Sequence, residues 1–418
     1  MTEIVDTIVA GGGTAGSAAA WHLARRGAEV LLLEAHPVID ESADRAFELA
    51  YADPVYQALA AESVALWAAL PSATTGVASP LLDRTGSVLH GHAPRLEAAG
   101  ESLARARLAH EILSAADAES RWPGLRFAGN VLFAPEGGRL REGAAIAALR
   151  AAAVDDGARV MTGTTVTRIR ILGDDLARLE VRTPVAAGSG AAPGSGAGDG
   201  AAASAASAAS GGETEIGEVR EIDCRRLVVT LGPSTAKLLR GLVALPRLSS
   251  TRDSSIVLPI RSGSVPAVVH LPDPSAPGQR YWRGDAAVLG GEGSVVVGWR
   301  DGATASAPST RSNGLPAREL AALLRYAREW LPGADPGLPT PISRVRTSAH
   351  HGDFVIDRIG PVIVGAGFGA AGAGLAPAIG RLLAGLADDA AAPSRFALRP
   401  DRRRAFDPST APGIARRA

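Results

Sequence analysis

An apolar run through Ile4, Val5, Ile8 and Val9 meets Gly11-Gly12-Gly13-Thr14-Ala15-Gly16. A helix-compatible stretch follows from Ser17 to Arg26, and Ala28 to Leu33 then ends on Glu34. Strand, glycine turn, helix, strand and acid in that order form the dinucleotide-binding fingerprint, which commits a chain to a parallel α/β sheet. Each part has a physical task. Gly11 permits the tight turn, Gly13 lets the backbone approach a diphosphate, and Gly16 lets the helix close on the strand. Thr14 and Ala15 open the helix, whose N-terminal N–H groups and positive dipole end suit phosphate. Glu34 is placed to accept hydrogen bonds from a ribose hydroxyl.

The chain has 418 residues, enough for two domains or one large α/β unit. Hydrophobic residues make up 46% and the formal net charge is zero, so a sizeable core is expected, and neither nucleic acid nor a membrane surface is an expected partner. Cys224 is the single cysteine, which excludes an internal disulfide and reads as an inert thiol in a strand. Glu3 and Asp6 occupy the place of a basic leader, so no secretory signal is expected. Pro361 to Gly380 is uncharged and about long enough to span a bilayer. Its Gly and Ala content and Pro377 fit a buried strand, turn and helix better. A cytoplasmic monomer is the expectation.

Residues 45–70 read as helical, as do Ala104–Ser120, Glu142–Ala153, Arg318–Leu331 and Leu375–Leu386. Strands are expected at Val131–Phe133, Ala158–Met161 and Val166–Ile171. Leu179–Thr183 and Val219–Ile222 read as the arms of a hairpin, with an Ala/Gly/Ser insertion at 186–212 as its flexible tip. Leu227–Leu231 leads into Gly232 and a helix from Ser234 to Leu239. Ile256–Ile260, Ala267–Leu271, Ala287–Leu289 and Val295–Val297 suggest an antiparallel sheet. Phe354–Asp357 and Val362–Val364 precede a second glycine cluster, Gly365-Ala366-Gly367-Phe368-Gly369. Nucleotide-type elements thus occur at the start, middle and end.

These features resemble the FAD-dependent D-amino-acid oxidase superfamily, nearest its branch of monomeric sarcosine oxidase and N-methyltryptophan oxidase. The residues that carry the likeness are Gly11–Gly16 with Glu34, Arg121-Trp122-Pro123-Gly124, Phe133–Gly138, Gly157–Val160, Leu227–Gly232, Phe354–Asp357 and Gly365–Gly380. The resemblance implies a discontinuous Rossmann-like FAD-binding domain and a second α+β substrate domain built on an antiparallel sheet. The first would comprise 1–41, 141–232 and 347–398, and the second 42–140 and 233–346, with 399–418 as a tail. FAD contacts then fall on Gly11, Gly13, Thr14, Ala15, Gly16, Glu34, Val166, Thr230, Gly232, Arg344, Gly367, Phe368 and Gly369. The implied chemistry is hydride removal from a carbon next to an amine nitrogen, with oxygen or another acceptor taking the electrons. The C-terminal glycine turn would aim N–H groups at the flavin's pyrimidine carbonyl.

Departures from the branch matter as much. Its covalent-flavin cysteine falls at about Arg344, so FAD is expected to be non-covalent. Its carboxylate-binding arginine falls on Glu48 and its lysine on Gly374. Glu48 therefore either holds a cationic amine or pairs with Arg45 along a helix face. The oxygen-activating lysine falls at about Val296, and Lys237 is the only lysine in the chain. Arg300 or Arg45 would stand in, or an acceptor other than oxygen would serve. His350 and His351 precede the C-terminal segment, and His351 is the candidate base. Arg45, Glu48, His351 and Arg300 are thus the catalytic candidates, with Trp299 and Tyr281 as candidate pocket linings. His90 and His92 lack the partners a metal site needs, and no metal is expected. A non-catalytic binding protein on a nucleotide fold is the alternative.

Overall fold

The computed structural model describes residues 3–39, 44–70, 81–183, 217–261, 264–275, 282, 284–300, 304–305 and 315–398. The insertion expected at 186–212, Tyr281 and the tail at 399–418 lie outside the described residues. Glu3–Ala10 is central to an eight-stranded sheet. On one side it pairs in parallel with Val30–Leu33, which pairs in parallel with Arg159–Met161. On the other it pairs in parallel with Val219–Val229. That long strand is used twice. Its first half joins Leu176–Arg182 as the expected antiparallel hairpin, and residues 227–229 run parallel to Val362–Ala366. Val30–Leu33 is buried throughout, as a strand covered on both faces must be.

Parallel neighbours need crossovers. Thr14–Ala24 and Glu142–Asp155 supply two of them, and Ala376–Ala387 packs beside Thr14–Ala24. One core lies under these helices and includes Val9, Leu32, Val228 and Ile363. A second covers the opposite face with Ile8, Leu31, Leu179 and Leu227.

A nine-stranded sheet forms the other half. Leu248–Pro259, Ser294–Trp299, Ala286–Gly290 and Ala267–Leu271 make the expected antiparallel run. The sheet is not wholly antiparallel, because Ala267–Leu271 runs parallel to Ser87–Gly91. Helix Ala317–Trp330 buries Leu323, Tyr326 and Ala327 against it. A small third sheet joins Asp44–Phe47, Gly138–Arg141 and Leu82–Asp83.

Two expected helices are corrected. Residues 45–70 are not one helix: Asp44–Phe47 is a strand, held in register by Gly138–Arg141, and the helix spans Pro54–Ala69. Asp53 caps it by accepting from the Val55 N–H at 2.9 Å, and Pro54 suits the first turn. Ala104–Ser120 divides into the end of helix Ala93–Arg105, strand Glu111–Leu113 and helix Ala115–Arg121. Arg107 adopts φ 56°, which stops the first helix, and the Ser114 hydroxyl accepts from Asp117 N to start the second. The short strand exists because Val131–Ala134 offers it a partner, a non-local fact that local periodicity does not carry.

Candidate active site

The first glycine turn is built by close backbone contact. Gly11 has φ 101°, and the Thr230 hydroxyl donates to its carbonyl at 2.8 Å. At Gly16 a Cβ would stand 1.8 Å from the Gly11 oxygen, so only glycine allows the helix this near the strand. A Cβ at Gly13 would enter open space on the cavity side. Helix Thr14–Ala24 starts with no side-chain cap and no acid in its first turn, leaving its dipole end available to an anion.

Arg150 crosses from helix Glu142–Asp155 to brace this turn. It donates to the Gly12 carbonyl at 2.6 Å, and the Ser17 hydroxyl donates to the same oxygen at 2.9 Å. A trans peptide whose carbonyl is held on one side must present its N–H on the other. The Gly13 N–H is thereby fixed in direction. Arg150 also stands 3.8 Å from the Glu34 carboxylate, whose oxygens accept from Gly12 N at 2.7 Å and His36 N at 2.8 Å. Burial pulls the Arg150 guanidinium down, and Glu34 works against that shift.

Both glycine clusters open on one cavity of about 320 Å3. Gly13, Thr14, Ala15, Gly16, Thr230 and Gly232 line one end, and Gly367, Phe368 and Gly369 line another wall. The nine-stranded sheet closes it with Val288, Leu289, Val296 and Trp299. Among the described residues four arginines reach the cavity, and each is engaged. Arg45 bonds Glu142 at 2.7 Å, Arg300 bonds Glu48 at 2.5 Å, and Arg346 bonds Asp253 at 2.8 Å. Arg344 donates to the Asp44 carbonyl at 2.9 Å. Desolvated charges need such partners. Burial raises the Asp44 carboxyl, with Arg139, Arg141 and Arg344 opposing the rise.

The structure brings most of the expected site residues together and leaves three apart. Arg45, Glu48, Arg300 and Arg344 share the cavity with the glycines. Glu34 lies behind the turn, bonded to its backbone. Val166 is buried in the apolar layer opposite Val181, outside the cavity lining. His351 is exposed and outside the lining, with its ring Nδ1 accepting from Asp353 N at 3.2 Å, so it does not reach the expected proton-transfer position. The helix-face pairing of Glu48 with Arg45 is also corrected, since Arg45 lies in strand Asp44–Phe47 and Glu48 just past its end, and they pair with Glu142 and Arg300 instead. Gly369 lines the cavity, and its N–H donates to Thr347 O at 3.0 Å. The residues sequence reasoning missed are Glu142, Arg150, Asp253 and Arg346. Glu142 also accepts from Thr14 Oγ1 at 3.0 Å, which ties the fingerprint to Arg45. No spacing rule joins positions so distant in the chain.

The departures have local causes. A Cβ at Gly374 would meet Phe47 Cδ2 at 2.7 Å, and Trp67 Nε1 holds the Gly374 carbonyl at 2.8 Å, so no lysine side chain fits there. Val296 lines the cavity where the resemblance placed another lysine. Cys224 is fully buried and its thiol is pushed up to about 12, which suits an inert core residue.

The arrangement suits FAD: a backbone cradle and helix end for a diphosphate, and a long cavity reaching a second glycine turn. Comparison with known proteins agrees. The chain is 26% identical to peroxisomal sarcosine oxidase of Mus musculus over 417 residues, covering 92% of each. It is 31% identical to monomeric sarcosine oxidase of Bacillus sp. (strain B-0618) over 189 residues, covering 42% of this chain and 47% of that one. Among solved structures, NikD, described as an unusual amino acid oxidase essential for nikkomycin biosynthesis, superposes with a TM-score of 0.71 at 22% identity, covering 95% of this chain and 98% of NikD. No helix among the described residues is long and apolar enough to cross a membrane. The pattern of the FAD dependent oxidoreductase (DAO) family matches residues 6–386, and the chain belongs to that family.

Proposed function

We propose that this protein oxidises an amine, removing a hydride from the carbon next to nitrogen and releasing an imine. One observation carries the reading: the carboxylate of Glu48 lies in the cavity shared by both glycine clusters. The sarcosine oxidases to which the chain is similar support the same bond type. FAD supplies the hydride acceptor when bound. Gly13, Thr14 and Ala15 would hold its diphosphate and Glu34 its ribose. Arg344 stands where the branch has its flavin-linking cysteine, so attachment is non-covalent.

Glu48 receives the substrate ammonium and orients the C–H bond toward the reacting centre. Val288, Leu289 and Val296 exclude water from that end. A secondary or cyclic amine suits this site better than an α-amino acid held as in the branch. The branch's two cationic anchors are Glu48 and Gly374 here, and Arg300 is already engaged by Glu48. The test is anaerobic mixing of the holoenzyme with a panel of amines and amino acids. Bleaching of the flavin absorbance by secondary amines is expected, and bleaching by none would overturn the reading. Acid precipitation should leave the colour in solution.

A second reading concerns the acceptor. Val296 in place of lysine, with Lys237 confined to helix Thr235–Leu238, favours an acceptor other than oxygen. Slow reoxidation of the reduced holoenzyme by air, with fast reoxidation by an artificial dye, is the expected result. Rapid peroxide formation would overturn it.

A further inference from the structure

A carboxylate stands where the large cavity should favour anions. Glu142 lines the cavity beside Gly13 and Thr14, at the helix end left open to an anion. An acid there would by itself repel a diphosphate. Acids do favour the first turn of their own helix, and Glu142 opens helix Glu142–Asp155. That preference leaves a carboxylate free in water, whereas the Glu142 side chain is only 16% exposed and both its oxygens are used. Oε1 accepts from Thr14 Oγ1 at 3.0 Å, and Oε2 accepts from Arg45 Nε at 2.7 Å. Arg45 is therefore gripped at its inner nitrogen. Among the described residues Glu142 is the one partner of this guanidinium, whose two terminal nitrogens keep their N–H donors while Arg45 lines the cavity. The backbone fixes the pairing: Arg45 faces Leu140 across the small sheet, and Glu142 follows two residues on.

We propose that Glu142 is a positioning residue for the cofactor, holding Arg45 so that its terminal nitrogens bind the FAD diphosphate, with that diphosphate lying at Gly13–Ala15 as proposed above. A single carboxylate separates Arg45 from Thr14, so the part of FAD within the guanidinium's reach is the part at the helix start. Gripped at Nε, a guanidinium presents paired N–H groups that match two phosphate oxygens. The charges of Glu142 and Arg45 cancel, so what the pair contributes is direction: donors toward FAD and the carboxylate behind them. Thr14 supplies the reference point. Its hydroxyl ties the carboxylate to the same helix turn whose N–H groups are open to an anion. Without Glu142, Arg45 keeps its charge and loses its aim.

The experiment follows the rate at which diluted holoenzyme releases FAD, read as recovery of flavin fluorescence, with no turnover required. If Glu142 acted only as a charge, Glu142→Gln would remove a repulsion and slow the release. Positioning gives the opposite sign. Glutamine offers one acceptor oxygen to two donors, so release should be about tenfold faster in Glu142→Gln, and at least as fast in Arg45→Met. The double variant should release FAD no faster than Arg45→Met alone, because Glu142 acts through Arg45. Release from Glu142→Gln at the parent rate or slower overturns the proposal, and so do effects that multiply in the double variant. Arg45→Met decides the question even where Glu142→Gln does not fold, since release at the parent rate there overturns it as well. Gly13→Val separates this outcome from the placement of the cofactor. Its Cβ meets no protein atom within 4 Å, so the variant keeps its fold while filling the diphosphate's place. Parent-level flavin content in Gly13→Val would put the diphosphate elsewhere and remove the proposal with it. Flavin lost there, with Glu142→Gln releasing FAD at the parent rate, overturns the role of Glu142 alone.

Discussion

The two ends of the large cavity are made of different materials. The glycine end is backbone: a turn locked by Thr230 and Arg150, a helix start, and positions where a single Cβ has no room. The end under the nine-stranded sheet is side chain: Glu48–Arg300, Asp253–Arg346 and apolar Val288, Leu289 and Val296. A backbone-made site binds what every family member shares, because its geometry tolerates almost no substitution. A side-chain-made site can change its charge while the sheet beneath it stays as it was. The contrast gives a chain a way to keep its glycine cradle while the charge of the opposite wall changes.

Four measurements would break or sharpen this contrast. Gly16→Val is the severest, because its Cβ would fall 1.8 Å from a backbone oxygen that cannot yield. A cost of about 3 kcal/mol or more is expected, and the flavin-to-protein absorbance ratio of the purified protein should fall close to zero. Glu48→Gln should act at the opposite end only. Flavin content stays near that of the parent, while the efficiency of anaerobic flavin reduction by the best amine drops roughly 100-fold, about 3 kcal/mol. Equal damage to flavin content would dissolve the contrast.

Arg150→Met removes a charge-assisted bond to the Gly12 carbonyl and the cation beside Glu34. FAD should dissociate roughly 30-fold faster, about 2 kcal/mol, as read by recovery of flavin fluorescence. Amine oxidation at saturating FAD should not follow it. The smallest effect concerns the second sheet. His270 is fully buried, stacked on His90 at 3.8 Å between ring centres, and burial lowers it to about 3. Its unfolded form binds a proton below about pH 6.5 while the folded form does not. Stability from this group is therefore lost as pH falls from 6.5 toward 3. His270→Phe should flatten that decline by about 1 kcal/mol near pH ~5.5, measured by urea unfolding across pH. His22, held by Pro377 O and lowered to about 4, gives the same sign in both proteins.

The same division governs what could be read in advance. Gly11 to Glu34 was legible because its parts are neighbours in sequence and each glycine answers a local steric demand. The C-terminal glycines were legible for the same reason, though Gly369 turned out to spend its N–H on Thr347. Residues 45–70 misled because strand Asp44–Phe47 is fixed by partners nearly a hundred positions away, not by its own periodicity. His351 misled because nearness in sequence to a cavity-lining segment is not nearness in space; its ring points to a local turn.

The sequence by itself determined the parallel sheet, the cofactor cradle and the absence of the branch's lysines. Those follow from residue volume, backbone freedom and residue type, which are properties of short segments. Only the tertiary structure decided that Glu48 meets Arg300, that Glu142 ties Thr14 to Arg45, and that Phe47 fills the space a lysine at 374 would need. Each depends on helices, strands and turns distant in the chain converging at one point, and a long charged side chain takes whichever partner that convergence puts within reach.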